Sequence, residues 1–324
     1  MLRVFARLAP FLHLTRVTTA FAAVANVWFV ILWTRANEAE GSTSALARTP
    51  EWAALASGAV VAVGLYAFGA ALNDVLDIRR DRALHPERPI PSGRLSVDAA
   101  VGLVAVALIA AVLGSTLLGI PAVLMCLLTA GAILAFNAGA RFVPSVGIVS
   151  LSLIYGAHMM IPNVELVFVW PVWLVMTHAI LIAAATHVLA GRRPRLTRPA
   201  VASAIAGWTF WSLVLLFVGW RRVGGLWPEW VHWTAAAGPL ILAALFLLVA
   251  VRKVKRAKTP AAAADKLMRY GALWLALYAA AWLLGQGQLR EGIMLSVLAA
   301  VGFLGMTILR ELYGLIEQPV GYRR

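Results

Sequence analysis

Long apolar runs separated by short polar segments dominate the sequence of this chain. A run of about 20 apolar residues is enough to cross the hydrocarbon core of a bilayer, and such runs recur from end to end. We predict spans at 15–35, 52–74, 97–119, 121–139, 143–162, 168–190, 199–220, 232–252, 267–286 and 289–312. Because only Gly287 and Gln288 separate the last two, nine spans followed by a packed terminal helix is an alternative. Both counts predict an all-α, polytopic membrane bundle.

Composition fits this prediction, and charge adds an orientation. The chain is 62% hydrophobic and 13% charged, against roughly 25% charged residues in soluble domains. With a cytoplasmic N-terminus, the inside segments hold all 28 basic residues except Arg35, Arg48, Arg221, Arg222 and Arg290. Cytoplasmic loops collect Lys and Arg, so we predict an integral, multi-pass protein with its N-terminus in the cytoplasm (in the inner or plasma membrane if the cell is bacterial). The net charge of +14 then indicates topology and not nucleic-acid binding, which would need a basic soluble domain.

Tryptophans cluster at the predicted outer boundary, where an interfacial aromatic belt belongs. They are Trp33, Trp52, Trp170, Trp173, Trp220, Trp227, Trp230 and Trp233. We interpret these rings as membrane anchors and not as a ligand site. The one cysteine, Cys126, lies inside an apolar run, so neither a disulfide framework nor a zinc cluster is expected within the chain.

Three carboxylates lie within eight positions at the inner end of the second span. Spacings of three and four residues put Asp74, Asp77 and Asp81 on one helix face, and Asn73 precedes Asp77 by one turn. Like charges on one face repel unless a cation joins them, and hard oxygen ligands of this kind suit Mg²⁺, which substrate phosphates usually complete. We therefore predict a magnesium site that faces the cytoplasm.

A solvated helix end is the alternative, with the acids paired to their neighbours Arg79, Arg80 and Arg82. Such local pairs are common and contribute little. The acidic motif alone does not decide between these alternatives. The segment that follows, 82–96, contains the run Arg-Pro-Ile-Pro-Ser-Gly at 88–93.

The order N-D-x-x-D-x-x-x-D at 73–81, then R-P-I-P-S-G, resembles the UbiA family of intramembrane prenyltransferases. Arg16 beside the first span extends the resemblance. So does F-N-A-G-A-R at 136–141, followed by Gly147 and Gly156, which is similar to a Y-N-x-x-x-K segment of the family. The resemblance covers roughly residues 10–285.

The resemblance implies one domain over 1–324, with a core at about 10–285, an extra C-terminal helix at about 289–312, and nine to ten helices around a central, lipid-accessible cavity. It also implies Mg²⁺-dependent transfer of a polyprenyl group from prenyl diphosphate to an aromatic or lipid acceptor. Its metal site would be Asn73, Asp74, Asp77 and Asp81, with Asp77, Asp81 and Arg141 as catalytic residues. Its substrate-binding residues would be Arg16, Arg88, Arg141, His187, Arg192 and Arg193.

One motif of the family is absent from this chain. A second D-x-x-x-D is expected near His187, but no Asp or Glu occurs between Glu165 and Glu229. Residues 184–195 instead align with 71–82 as an internal repeat that shares V-L-x-x-R-R. This repeat aligns Thr186, His187, Ala190 and Pro194 with Asn73, Asp74, Asp77 and Asp81, respectively.

This absence leaves several functions open. In the first, Arg192, Arg193 and Arg195 replace the second metal and bind phosphate directly, since the guanidinium fork binds phosphate bidentately. In the second, the chain is catalytically degenerate and binds isoprenoid lipid or supports a partner enzyme, with these arginines serving as positive-inside anchors. A transporter is a third class, but the ionisable residues cluster at one face and do not cross the midplane. His187 is a candidate ligand, although a lone His at a span end is more often a packing residue.

Overall fold

The computed structural model describes residues 10–12, 14–16, 19–41 and 44–317, and the regular structure of these residues is helical. Short helical turns at Glu38–Glu40, Ser44–Arg48, Ala140–Phe142 and Trp233–Ala236 join the main helices. The main helices are α1 (Phe21–Ala36), α2 (Glu51–Leu76), α3 (Ile78–Leu84), α4 (Val97–Thr116), α5 (Ile120–Ala138), α6 (Pro144–Met159), α7 (Trp170–Leu189), α8 (Arg198–Val223), α9 (Ala237–Lys255), α10 (Pro260–Gly285) and α11 (Leu289–Glu317).

Every predicted span corresponds to a helix. Among the described residues, 8 helices are long and apolar enough to cross a membrane, and α1 and α6 are shorter apolar helices. The all-α, multi-pass membrane bundle is thus confirmed. The division into one domain with an added C-terminal helix stays a prediction, as does the central cavity.

Helix ends follow from local chemistry. At the N-termini of α4, α8 and α10, the hydroxyls of Ser96, Thr197 and Thr259 accept hydrogen bonds from the backbone N–H groups three residues on. Such caps satisfy amide groups that a helix leaves without partners. The turn between α4 and α5 needs Gly119, whose φ is +101°. A Cβ there would also lie 2.9 Å from that of Ala45.

The bundle has an inner ring and outer helices. In the ring, α1 packs on α2 and α10, α2 on α5, α5 on α6, α6 on α7, and α7 on α10. Helix α4 packs on α2, α8 on α6 and α7, α9 on α10, and α11 on α10 and α1. Over its most apolar stretch α2 has 61% of its residues buried, against 11% for α8. The outer helices therefore present most of their apolar surface to lipid.

The prediction of a uniform tryptophan belt was wrong at Trp33. Its ring is fully buried and stacks on Phe29 and Phe168, with centroids 5.5 and 5.1 Å apart. Its Nε1 donates to the buried carboxylate of Glu40 at 3.1 Å. Trp52 and Trp233, at 75% and 79% exposure, are placed as anchors should be. A tryptophan at a span end faces protein or lipid according to packing, which the sequence pattern does not reveal.

Candidate functional site: an aspartate–arginine network at one end of the bundle

The acidic motif lies where α2 gives way to α3. Helix α2 ends at Leu76, and Asp77 separates it from α3. Backbone hydrogen bonds from Asp77 N to Asn73 O (3.0 Å) and from Asp81 N to Asp77 O (2.8 Å) continue the helical pattern through this junction. Asn73, Asp77 and Asp81 thus stay one turn apart, as the spacing predicts. We call this end of the bundle the Asp77 end.

Arg141 reaches the motif from the turn after α5. Its guanidinium donates to both carboxylate oxygens of Asp77, at 2.9 and 2.5 Å, and also to the amide oxygen of Asn73. The Phe142 ring packs against the guanidinium, with 4.9 Å from Cζ to the ring centroid. Gly147 permits the approach of α6, since a Cβ there would lie 2.9 Å from the Arg141 Cα. The side chains of Arg141 and Asp77 are largely buried.

The other two carboxylates are buried and meet two further arginines. Arg88 donates to Asp81 Oδ2 at 2.7 Å, and the same nitrogen lies 3.8 Å from Asp74 Oδ1. Arg16 donates to Asp74 Oδ1 at 3.4 Å. The Asn73 amide donates to Asp74 Oδ1 at 3.2 Å, so every carboxylate of the motif has a charged partner.

The loop that carries Arg88 is anchored by apolar residues. Ile90 and Leu95 are buried and pack with Leu14 and Ala100. Leu95 N donates to Pro89 O at 3.0 Å, and Gly93, with φ of +75°, allows the turn. This docking explains why an Arg-Pro segment follows the acidic motif, because it fixes Arg88 over two carboxylates.

The alternative interpretation, in which the acids pair with adjacent arginines, does not hold for the described residues. Among the described residues, Asp74, Asp77 and Asp81 pair with Arg16, Arg88 and Arg141, which come from three other segments. Arg79, Arg80 and Arg82 lie in the same short helix as Asp81. They are exposed, whereas Asp81 is buried, so they lie on other sides of that helix.

The donor set suits a hard cation at one position. Asn73 Oδ1 and Asp77 Oδ2 converge on a single nitrogen of Arg141, so these two oxygens already share one cationic partner. The described residues contain no group of three or more His, Cys, Asp or Glu side chains arranged to hold a metal. The residues thus fit one Mg²⁺ held by few protein ligands, with water and phosphate oxygens supplying the others.

In the segment that stands in place of the second acidic motif, polar side chains contact backbone atoms of the same segment. The buried Thr186 hydroxyl donates to Ile182 O at 2.7 Å, and His187 Nε2 lies 2.9 Å from Pro194 O. Gly191, with φ of +59°, follows the end of α7. The polar atoms of Thr186 and His187 therefore have backbone partners.

Arg192 carries positive charge toward the network. Desolvation by the surrounding protein lowers the pKa of the Arg192 guanidinium, and the positive charges of Arg16 and Arg80 lower it further. Arg192 is therefore within electrostatic range of Arg16, which contacts Asp74. Arg193, next along the chain, is exposed.

The structure thus joins seven predicted site residues in one network: Asn73, Asp74, Asp77, Asp81, Arg16, Arg88 and Arg141. Arg192 is coupled to that network through space, whereas His187 contacts its own loop. Sequence reasoning missed Arg80, which lies near Arg192. The V-L-x-x-R-R repeat was the available signal, because it aligns Arg79 and Arg80 in sequence with Arg192 and Arg193.

These features define a class: a polytopic helical membrane protein with an aspartate–arginine site at one end of its bundle. Within that class the chain belongs to the UbiA prenyltransferase family, whose family model matches residues 27–272. The resemblance found in the motifs is thereby confirmed.

One solved structure agrees with the fold, and two others are less similar. The chain is similar to a digeranylgeranylglyceryl phosphate synthase, with a TM-score of 0.54 and 18% identity over 87% of this chain and 99% of that one. A UbiA homologue from Aeropyrum pernix K1 matches with a TM-score of 0.49 and 20% identity, over 86% and 98%. A UbiA homologue from Archaeoglobus fulgidus, bound to GPP and Mg²⁺, matches with 0.44 and 14%, over 92% and 99%. No curated protein matches the chain.

Proposed function

We propose that this protein transfers a polyprenyl group from a prenyl diphosphate to an aromatic or lipid acceptor in the membrane, in a Mg²⁺-dependent reaction. The observation that carries the proposal is the meeting of Asn73 and Asp77 on one cationic atom of Arg141, in a chain of the UbiA prenyltransferase family. In this reaction the bond between C1 of the prenyl chain and the diphosphate oxygen breaks, and the electron pair leaves with diphosphate. The acceptor forms the new bond to C1 and releases a proton.

The residues divide the work of binding the diphosphate. Asn73, Asp77 and Asp81 would hold the metal, with Asp74 in support, and a bound Mg²⁺ would neutralise the negative charge that develops on the leaving diphosphate. Arg141 gives up part of its contact with Asp77 and donates to phosphate oxygens, for which its planar fork is suited. Arg88 and Arg16 keep Asp81 and Asp74 oriented. Hydrogen-bond donors that already point to where negative charge develops in the transition state make the largest contribution to lowering the activation barrier.

Fixed charge takes the place of the second metal in this proposal. Arg192 and Arg193 lie in the segment that stands in place of the family's second acidic motif. Burial lowers the pKa of Arg192, and the positive charges of Arg16 and Arg80 lower it further, so an anion bound there would be attracted by several arginines. We expect Arg192→Ala with Arg193→Ala to weaken prenyl diphosphate binding tenfold or more. The charge-matched control is Arg256→Ala with Lys258→Ala, in the exposed α9–α10 connection. Unchanged diphosphate affinity in the first variant would sink the idea of charge substitution.

The decisive experiment measures diphosphate release from a mass-tagged prenyl diphosphate in reconstituted membranes with pooled aromatic and lipid acceptors. Release is expected in the wild type with Mg²⁺, its loss with chelator, and its loss in Asp77→Asn. Asp98→Asn is the matched control, because Asp98 is an exposed carboxylate in the first turn of α4. If no prenyl diphosphate is turned over with any acceptor, the transferase proposal fails.

A second candidate function is binding of isoprenoid lipid without chemistry, either alone or in support of a partner enzyme. The lack of any carboxylate between Glu165 and Glu229 favours it. This function predicts that the protein retains prenyl lipid through purification, while no diphosphate is released under the conditions above.

We also propose an orientation and a domain organisation. The Asp77 end and the N-terminus face the cytoplasm, because the segments at that end hold most of the basic residues. The chain forms one domain, in which α11 packs on α10 and α1 as an addition to the family core.

A further inference from the structure

Three basic side chains line a cavity between α9, α10 and α11, away from the aspartate network. The cavity has a volume of about 240 Å³. Successive spans alternate in direction, so the α9–α10 connection beside it lies at the Asp77 end. The lining residues are Lys253 near the end of α9, Lys266, Arg269 and Tyr270 near the start of α10, and Phe303 and Thr307 on α11.

Two aromatic side chains, Tyr270 and Phe303, position one of these cations. Lys253 Nζ lies 4.5 Å from the centroid of the Tyr270 ring, and that ring packs at a tilt of 50° against Phe303, with centroids 5.8 Å apart. A cation over an aromatic face is attracted by the ring quadrupole. The Thr307 hydroxyl donates to Phe303 O at 2.8 Å, so its hydrogen is already used within α11.

The cavity carries excess positive charge in a partly dry setting. Lys253, Lys266 and Arg269 are all half-buried. Arg269 contacts Asp265 at 3.1 Å, yet its Nε is buried with no hydrogen-bond partner. Like charges that share a cavity repel more strongly than in water, because the effective dielectric constant is lower. A polyanionic or phosphate ligand relieves that repulsion and uses the ammonium donors.

The surroundings of the cavity are apolar and face lipid. On the turns next to the lining residues, Met268, Leu304 and Ile308 are 44%, 60% and 58% exposed. Helix α11 is an outer helix with 22% of its apolar stretch buried. A ligand that fits both zones has an anionic head and apolar tails, and basic pockets between membrane helices bind such lipids.

We propose that this cavity binds the phosphate headgroup of an anionic phospholipid, whose acyl chains lie along α11. Lys266 and Arg269 contact the phosphate, and Lys253 closes the cavity from α9. The lining shares no residue with the aspartate network, and its α11 side, Phe303 and Thr307, lies beyond the family match, which ends at residue 272. Bound lipid joins α11 to α9 and α10 and so stabilises this side of the bundle.

The test uses the full chain in an uncharged detergent, with phosphatidylglycerol, phosphatidylcholine or inorganic phosphate added. We expect phosphatidylglycerol to raise the melting temperature of the wild type, while phosphatidylcholine and inorganic phosphate do not. Lys266→Gln with Arg269→Gln is expected to bind phosphatidylglycerol roughly thirtyfold more weakly, as follows from the loss of two charges at a membrane surface.

Arg256→Gln with Lys258→Gln is the control, because it removes the same net charge from exposed positions in the adjoining connection. It is expected to bind phosphatidylglycerol as the wild type does. If the cavity variant does not fold, Lys253→Gln leaves the pair of Arg269 with Asp265 intact and is expected to weaken lipid binding about fivefold. Equal lipid affinity in the cavity and control variants, or an equal shift with inorganic phosphate, would overturn the proposal.

Discussion

Arg141 and Asp77 form a two-pronged ion pair across 64 positions of the chain, with nitrogen–oxygen distances of 2.9 and 2.5 Å. The pair joins the end of α2 to the turn after α5 and is largely buried. In a low-dielectric setting each member is costly without the other. The pair therefore fixes the geometry of this end of the bundle, and the proposed reaction requires it to rearrange.

Breaking this pair from one side should cost more than removing it whole. Arg141→Ala leaves a largely buried carboxylate without its partner, which costs up to about 3–5 kcal/mol in buried pairs. We expect the double variant Arg141→Ala with Asp77→Asn to melt at a higher temperature in detergent than Arg141→Ala alone. Strictly additive losses in this double-mutant cycle would contradict a direct coupling.

The bidentate geometry of the Arg141 guanidinium, and not only its charge, should affect the rate of diphosphate release. Arg141→Lys keeps a cation near Asp77 but loses bidentate donation. We expect the variant to remain folded and to release diphosphate at least tenfold more slowly than the wild type. Equal rates for lysine and arginine would show that charge alone suffices at this position.

Close packing at Gly147 should be required for the site. An alanine Cβ would lie 2.9 Å from the Arg141 Cα and 3.1 Å from Ala140 O, so the turn that carries Arg141 must shift. Because small misplacements of catalytic groups cost up to about a hundredfold in rate, Gly147→Ala should slow diphosphate release by roughly tenfold or more. Gly131→Ala is the control, since a Cβ there meets nothing within 4 Å. A wild-type rate in Gly147→Ala would refute this packing requirement.

The opposite end of the bundle carries a pH-dependent contact. Glu40 is buried and accepts hydrogen bonds from the backbone N–H groups of Val167 and Phe168. Burial raises the pKa of Glu40 from 4.5 to about 7, and these hydrogen bonds partly oppose the rise. The folded chain then holds a proton that the unfolded chain releases, so this stabilisation is full below about pH 4.5 and is lost as pH rises through about 7.

We expect the melting temperature in detergent to fall between about pH 5 and pH 8 in the wild type. In Glu40→Gln this part of the pH dependence should vanish, because glutamine does not titrate. Glu38→Gln serves as the control, since Glu38 is exposed. Parallel pH profiles for the wild type and Glu40→Gln would rule out a proton on Glu40.

The proposed orientation is open to labelling. Cys126 is buried and is the one cysteine of the chain, so single cysteines can be added at exposed positions. With a membrane-impermeant maleimide on intact cells, Glu229→Cys should react, while Arg82→Cys should react only after permeabilisation. The wild type controls for Cys126, and the reverse pattern would invert the orientation.

Much of the fold and of the site was accessible from sequence because both depend on short-range patterns. Apolar runs set the spans, and the spacing of Asn73, Asp77 and Asp81 keeps them one turn apart even though the helix is interrupted at Asp77. The partners of these residues were not accessible in the same way. Arg16 lies 58 positions from Asp74, and Arg141 lies 68 positions from Asn73. A pattern within one helix does not encode which distant turn will dock on it.

The aspartate motif and its Arg-Pro loop, together with the membrane-spanning helices and the missing second acidic motif, were therefore determined by the sequence alone. Local hydrogen bonding and the hydrophobic requirement of the bilayer act over a few helical turns, so their effects can be predicted from the linear sequence. Tertiary structure alone decided that Arg141 pairs with Asn73 and Asp77, that Trp33 packs inside the protein on Phe168, and that Lys253 and Arg269 line one cavity. These contacts depend on the packing of helices far apart in the chain, where small side chains such as Gly147 set the distances.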